Sequence, residues 1–271
     1  MYKIAASDLD GTLLSSDHKI LPFTKKILIQ LHAQGKEFVF ATGRHHLDVA
    51  QMRDQLGIPA FMITSNGACI HNSQNDIIFQ QHVPHEIIAG IIKMVKHDDE
   101  IIINLFRDND WLVNKANTKT NFNHENFTYD FFDIDNPPLE NIIKIFLTRE
   151  DDNHDKLVIW EDKIKALFAT TATIVFSSPS CLEIMDIDVS KGHALDAVAK
   201  LKGYQLKDCI AFGDGMNDFE MLSMAGKGLV MGSAHHKVKM ALPNHEVIGV
   251  CDDQAVAHYL LKHLLDSTFQ N

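Results

Sequence analysis

No stretch of this sequence approaches the roughly 18 consecutive apolar residues that a membrane-spanning helix requires, so no membrane partner is expected. The first ten residues, Met1-Tyr2-Lys3-Ile4-Ala5-Ala6-Ser7-Asp8-Leu9-Asp10, carry two acids where a secretory signal would have its apolar stretch. Cysteine is scarce: Cys69, Cys181, Cys209 and Cys251 are the only four, and they lie 112, 28 and 42 residues apart. That scatter suits neither a zinc knuckle nor a redox pair nor a disulfide framework, and reduced thiols in the cytoplasm are the expectation. Positive charge is also short, because 25 Lys and Arg against 36 Asp and Glu leave a formal charge of −11. A nucleic-acid partner, which needs a basic face to displace phosphate counterions, is not expected. Internal repeats and low-complexity segments are absent as well.

What remains is a chain of 271 residues with 45% hydrophobic and 23% charged residues, ordinary proportions for a folded protein of one large or two modest domains. Lys3 to Ser7 is a short apolar run that stops at Asp8. Pro22 to Gln34 reads as a helix with Phe23, Ile27 and Leu31 on one face, Glu37 to Ala41 as a buried strand, His45 to Leu56 as a helix and Phe61 to Thr64 as a further strand. The same grammar returns late: helix Lys191 to Leu201, strand Cys209 to Gly213, helix Asn217 to Ala225, strands Gly228 to Met231 and Val247 to Val250, helix Gln254 to Leu265. Alternating strands and helices predict an α/β parallel sheet with crossover connections.

The middle reads differently. Between Pro84 and Asp188 the pattern gives helices at Glu86 to Lys96 and His154 to Phe168, and strands near Ile101 to Phe106, Trp111 to Asn114, Ile142 to Leu147, Thr173 to Phe176 and Leu182 to Asp186. Residues 84–188 hold 10 Lys or Arg against 20 Asp or Glu, so this stretch carries −10 of the −11 charge, and it contains 11 of the 22 aromatic residues. An inserted α+β domain with its own core is predicted there, splitting a core of residues 1–83 and 189–271.

Asp8-Leu9-Asp10-Gly11-Thr12 follows directly on a predicted strand, where open parallel sheets place their ligands. In an extended segment Asp8 and Asp10 would project to one face, and two close carboxylates favour a divalent cation at one and a raised pKa at the other. Read alone, the run is equally a surface turn, while a calcium loop lacks its further ligands because Leu13, Leu14 and Ser15 follow. Ala41-Thr42-Gly43-Arg44 ends the second strand with a hydroxyl and backbone N–H groups for a phosphate oxygen. Ser190-Lys191-Gly192 opens a helix with a compact positive charge, and Gly213-Asp214-Gly215-Met216-Asn217-Asp218 ends a later strand with glycines and two acids. Acid, hydroxyl, lysine and acid, in this order, make a site for Mg²⁺ and a phosphoryl group. The sixteen histidines, including the doublets His45-His46 and His235-His236, lack the helical spacing of a transition-metal site; the second doublet reads as loop.

These four motifs resemble the signature of the haloacid dehalogenase superfamily of phosphatases, over essentially the whole length of the chain. Within it the chain looks like the Cof-type subfamily, with an inserted cap between the second and third motifs. Phe38-Val39-Phe40-Ala41-Thr42-Gly43-Arg44-His45-His46, Ser65-Asn66-Gly67-Ala68 and the stretch from Asp208 to Asp218 look closest to bacterial pyridoxal-phosphate and sugar-phosphate phosphatases. The resemblance implies a Rossmann-like core and a phosphoric monoester hydrolase. It implies Asp8 as nucleophile and Asp10 as general acid and base. Mg²⁺ would be held by the Asp8 side chain, the Asp10 carbonyl and Asp214. Leu9, Thr42, Gly43, Lys191 and Asn217 would bind phosphate, and Asp218 would orient Lys191 or a metal-bound water. The insert would select the substrate, a small phosphorylated metabolite. Arg107 and Trp111 are its candidate contacts, and Phe106 and Phe176 are further rings that could stack; core packing and solvation are the competing readings for all four. A monomer or weak homodimer is expected. Alternatives are a phosphotransferase or mutase, a non-catalytic phosphate-binding protein and a receiver-like signalling domain. The size of the insert and the presence of Asp10 speak against the last.

Overall fold

A strand covered on both faces has no polar side to alternate, and Ile4–Ser7 (β1) is such a run, buried at all four residues. It opens a computed structural model that describes residues 2–116 and 128–265. Beyond a wide turn at Leu9–Leu13, Pro22–Ala33 (α1) starts on a proline, whose fixed φ suits the first helical turn, and buries Thr24, Ile27, Leu28 and Leu31. Glu37–Ala41 (β2), His46–Leu56 (α2) and Phe61–Thr64 (β3) follow. Cys69–His71 (β4) then pairs antiparallel with β3, and Ile77–Gln80 (β5) takes the sheet edge. Neither of these last two strands is legible in the sequence, because both are short and set among turn residues.

The chain divides into two compact units, residues 1–79 with 190–271, and residues 80–189. In the second, His85–Val95 (α3) places Ile87, Ile88, Ile91, Ile92 and Val95 on one buried stripe. Burying each such side chain contributes about 1.5–3 kcal/mol relative to exposure. The stripe packs on a six-stranded sheet made of Ile101–Arg107 (β6), Trp111–Val113 (β7), Tyr129–Phe131 (β8), Ile142–Arg149 (β9), Ala172–Ser178 (β10) and Cys181–Asp186 (β11), with His154–Phe168 (α4) between β9 and β10. The order is β10-β11-β9-β6-β7-β8, antiparallel except at β7–β8.

Alternation along these strands sends Ile101, Ile103, Leu105, Ile145, Leu147, Leu182 and Ile184 into the helix-covered core. Their neighbours Asn104, Phe106, Lys144, Phe146 and Glu183 form a second buried layer. There the Lys144 Nζ lies 2.6 Å from Glu183 Oε1, and 4.8 and 5.0 Å from the centres of the Phe106 and Phe146 rings. Beside the pair, burial pushes the Cys181 thiol up to about 12, with the Glu183 charge adding to the effect.

The first unit resumes with Lys191–Leu201 (α5), Cys209–Gly213 (β12), Phe219–Met224 (α6), Lys227–Val230 (β13), His236–Ala241 (α7), Glu246–Val247 (β14) and Ala255–His263 (α8). Its sheet runs β14-β13-β12-β1-β2-β3-β4-β5, parallel from β14 to β3. This is the α/β parallel sheet expected from the sequence. β1 hydrogen-bonds to β2 on one side and to β12 on the other, so the direction of winding reverses there and leaves a crevice at the carboxyl ends.

Three local expectations are corrected. His235-His236 is not loop: the His235 side chain accepts from Lys237 N at 3.3 Å and caps α7, a helix too short to show periodicity. The last strand ends at Val247 rather than Val250, because Gly249 O takes its hydrogen bond from Gly232 N beyond β13. The helix expected from Asn217 begins as a 3₁₀ turn at Met216–Asp218, tightened by the Asp218 carboxylate.

Removing one member of a buried ion pair costs about 3–5 kcal/mol, because the other charge is left in a poor solvent. Lys144→Met should therefore lower the unfolding free energy by about that amount. Lys144→Met with Glu183→Leu should regain most of the loss, as measured by urea denaturation.

Candidate active site

Everything chemically notable in the first unit gathers at the carboxyl ends of β1, β2, β3 and β12. Asp8 follows β1, and its N–H donates to Phe212 O at 3.0 Å, which extends the β1–β12 ladder by one residue to Asp8. The chain then turns sharply. Leu9–Leu13 forms one wide helical turn with Gly11 at φ 77°, closed by Leu14 N donating to Leu9 O at 2.9 Å. Gly11 is required twice over, by its left-handed backbone and because a Cβ there would strike the Asp214 carboxylate.

This turn corrects the expectation that Asp8 and Asp10 share one extended face. Their carboxylates serve different groups. Asp8 Oδ1 lies 2.6 Å from Lys191 Nζ, whereas Asp10 receives Arg44 Nη2 at 2.6 Å, Arg44 Nε at 2.7 Å and approaches His18 Nδ1 at 2.9 Å. Asp48 holds the Arg44 fork from the other side, 2.8 Å from Nη1. Such two-pronged contact fixes both position and charge. Although burial works against ionisation, the Arg44 and His18 contacts hold the Asp10 carboxyl below its usual range.

Lys191 is wholly buried at the start of α5, where the Ser190 hydroxyl caps the helix by accepting from His193 N at 3.1 Å. Its ammonium lies 2.6 Å from Asp218 Oδ1 as well as from Asp8. Asp218 spends its other oxygen on the N–H groups of Asp214 and Gly215, both at 2.9 Å, so it orients the lysine and shapes the loop. Asp214 Oδ1 accepts from the Thr12 hydroxyl at 2.9 Å. Thr42 Oγ1 accepts from Arg44 N at 3.1 Å, which orients the hydroxyl beside Gly43, and Asn217 Nδ2 donates to Asn66 Oδ1 at 3.0 Å. Leu9, next in the chain to Asp8, opens the wide turn.

Carboxylate oxygens of Asp8, Asp214 and Asp218 lie within 4.8 Å of one another, the group of this kind found among the described residues. Three acids facing one lysine leave an excess of negative charge in a poor solvent. Burial, reinforced by Asp218 and Asp214, raises Asp8 well above the usual carboxylate range, and burial with Asp218 repulsion pushes Asp214 up to about 6. Lys191 stays charged because Asp218 and Asp8 outweigh its burial. An all-oxygen donor set with uncompensated negative charge fits a hard divalent cation such as Mg²⁺. The Asp10 side chain stands outside this acid group, so any part it has in holding the ion falls to its backbone carbonyl.

Arg107 and Trp111 belong to the other unit. Trp111 is corrected as an open stacking platform: it is 4% exposed, gives its indole N–H to Asn104 Oδ1 at 3.1 Å and meets Phe106 edge-on at 5.8 Å between centroids. Phe106 is buried in the same cluster. The Arg107 guanidinium is held by Asp110, with Nε 2.6 Å from Oδ1. Thr12, Arg44 and Asn66 take part in these contacts although the motifs alone assign them no role; their positions inside the motifs are the signal that the sequence offers. His18 had none, since it reaches Asp10 only through the turn. At the start of α2, His46 stacks on His71 at 4.4 Å, and burial with its neighbours His45 and His71 pushes it down to about 3, so it is a neutral packing group.

Residues 5–260 match the haloacid dehalogenase-like hydrolase family. The chain belongs to that family. A Buchnera aphidicola chain with a provisional phosphatase name is 40% identical over 267 residues, 98% of this chain and 97% of that one. A protein of Cronobacter sakazakii named HMP-PP phosphatase is 37% identical over 268 residues, covering 98% and 97%. Among solved structures, a haloacid dehalogenase-like hydrolase from B. subtilis superposes with a TM-score of 0.83 at 25% identity, covering 97% of this chain and all of that one. The hydrolase family and α/β fold read from the motifs therefore agree with membership.

Because Asp214 titrates near 6, protons compete with a cation for the acid group below that pH. The same raised value means that Asp214 favours the ion-free folded state at acid pH, and that this contribution is lost as pH rises through about 6. The increase in melting temperature given by Mg²⁺ should accordingly be larger at pH about 7.5 than at about 5. Equal shifts at the two values would contradict this picture of the cluster.

Proposed function

We propose that this family member is a Mg²⁺-dependent phosphatase of small phosphomonoesters working through an aspartyl-phosphate on Asp8. The observation that carries the reading is the Asp8–Lys191–Asp218 chain of 2.6 Å contacts beside Asp214, at the point where the sheet reverses its winding.

Phosphomonoesters resist water strongly, and dividing hydrolysis into two transfers through a positioned carboxylate lowers each barrier. An Asp8 oxygen attacks phosphorus in line while the ester oxygen leaves with a proton from Asp10. Lys191, the Thr42 hydroxyl and the backbone N–H groups of Leu9 and Gly43 take up the charge spread over the phosphoryl oxygens. Asp8, the Asp10 carbonyl and Asp214 would hold Mg²⁺, which would add to the neutralisation of that charge. In the second step Asp10 removes a proton from the water that attacks the aspartyl-phosphate. Arg44 and His18 hold Asp10 ionised, the state this second step needs. For the first step a proton has to reach a carboxylate they now occupy, so substrate entry must loosen those contacts.

The substrate is a small phosphorylated metabolite. HMP-PP, named for a relative 37% identical over nearly the whole chain, joins pyridoxal phosphate and sugar phosphates as the compounds to examine. The second unit is the substrate-selecting insert in this reading. The cytoplasm is the compartment that suits it: the four cysteines are free thiols, and no helix among the described residues is long and apolar enough to cross a membrane.

Phosphate release from HMP-PP, pyridoxal 5′-phosphate, hexose phosphates and flavin mononucleotide should require Mg²⁺ and stop with chelator. Asp8→Asn should lose essentially all turnover while remaining folded, and Asp10→Asn should slow both steps and accumulate phosphoenzyme. Unchanged release by purified Asp8→Asn protein would sink the mechanism.

A further inference from the structure

The carboxyl end of β3 has an unusual backbone. Ser65, Asn66 and Gly67 are consecutive residues at φ 47°, 59° and 104°, all in the region that L side chains rarely adopt. Asparagine tolerates it, but serine does so seldom. The turn is also buried: Ser65 is 0% and Asn66 1% exposed, and the hydroxyls of Thr64 and Ser65 find no hydrogen-bond partner among the described residues. Strain and unsatisfied polar groups of this kind persist only where surrounding structure imposes them, and they gather at functional sites.

The surroundings here are the other motifs. Ser65 N donates to Arg44 O and Asn66 N to Thr42 O, both at 2.9 Å, so the turn is laced to the loop after β2. Gly67 lies against the Ser190 carbonyl, which leaves no room for a Cβ beside the residue that caps the lysine helix. Asn66 Oδ1 accepts from Asn217 Nδ2 at 3.0 Å, reaching the loop after β12. One short turn thus touches the hydroxyl loop, the lysine helix and the second acid loop.

We infer that Asn66 is a positioning residue: its amide oxygen fixes the rotamer of Asn217, and its left-handed backbone sets the distance between the Thr42 loop and α5. The inference rests on the reading of this site as one that binds phosphate. Asn217 commits one N–H to Asn66, and the remainder of its amide is thereby aimed rather than free to rotate. The strain at Ser65 and Asn66 is the cost of placing that oxygen where Asn217 can use it.

The test is a double-mutant cycle on Asn66→Gly and Asn217→Ala. Glycine keeps the left-handed backbone within reach and deletes only the amide, so folding should survive; a melting temperature close to wild type checks this. Two readouts are taken with Mg²⁺ present: kcat/KM for the best substrate, and the affinity for inorganic phosphate by calorimetry. Each single variant should lose about 10–100-fold in kcat/KM, as for groups that orient a ligand-binding side chain. The double variant should be no worse than Asn217→Ala alone. Asn66→Asp, which retains an acceptor oxygen and tolerates the same backbone, should lose less than Asn66→Gly.

Losses that multiply in the double variant, wild-type behaviour of Asn66→Gly, or an Asn66→Asp variant as poor as Asn66→Gly would overturn the inference. Should the wild-type protein bind phosphate but hydrolyse no ester, the phosphatase reading fails and the cycle on phosphate affinity alone decides the role of Asn66. Absence of both activities overturns the two together.

Discussion

The buried Lys191 ammonium is the contact on which the site depends. Alone, a lysine with no exposure would be driven to lose its proton; beside Asp8 and Asp218 it keeps it. The geometry follows from that need. Asp218 has to approach from the loop after β12, Asp8 from the end of β1, and Lys191 from the start of α5, so three separate segments are drawn to one point. Asp218 then uses its remaining oxygen to fold the Asp214 loop, which carries a third acid into the group and creates the excess charge that a cation would relieve.

A division of labour between the two acids of the first motif comes from the backbone. Had the segment stayed extended, Asp8 and Asp10 would have competed for one environment. The wide turn with Gly11 at its centre gives each its own partner: the Lys191 ammonium for Asp8, the Arg44 guanidinium for Asp10. Two chemically identical side chains acquire opposite titration behaviour, Asp8 raised and Asp10 lowered. Environment rather than residue type makes that distinction.

Most of the strand and helix order could be read from periodicity, since β2, α4 and α5 announce themselves by apolar runs, caps and length. The site motifs were legible because each stands directly after a strand or before a helix, where the parallel sheet exposes its ends. Other features were not legible, for physical reasons. The separation of Asp8 from Asp10 depends on a turn that a two-residue spacing does not encode. His18 meets Asp10 through tertiary closure with no pattern around it. Trp111 in a polar segment resembles a ligand platform, but alternation along β6 and β7 turns it into a buried aromatic layer with Phe106 and Phe146. Asn66 is an ordinary turn residue in the sequence, and only its left-handed backbone and its contact with Asn217 set it apart.

The first unit is written in two parts of the chain, and its central strand β1 is flanked by β2 from the first part and β12 from the second. Asp8 and Lys191, 2.6 Å apart in the fold, are 183 positions apart in the chain. During synthesis the first five strands emerge long before their counterparts, with β1 presenting one open edge and Asp8 still in water. The inserted unit has time to fold on its own meanwhile, as domains generally do. Pairing of β12 with β1 then joins the two halves of the sheet, with β13 and β14 beyond it, and brings Asp8 against Phe212 and Lys191. An incomplete chain therefore lacks Lys191 and Asp214 together, and the acid group cannot assemble before β12 pairs with β1.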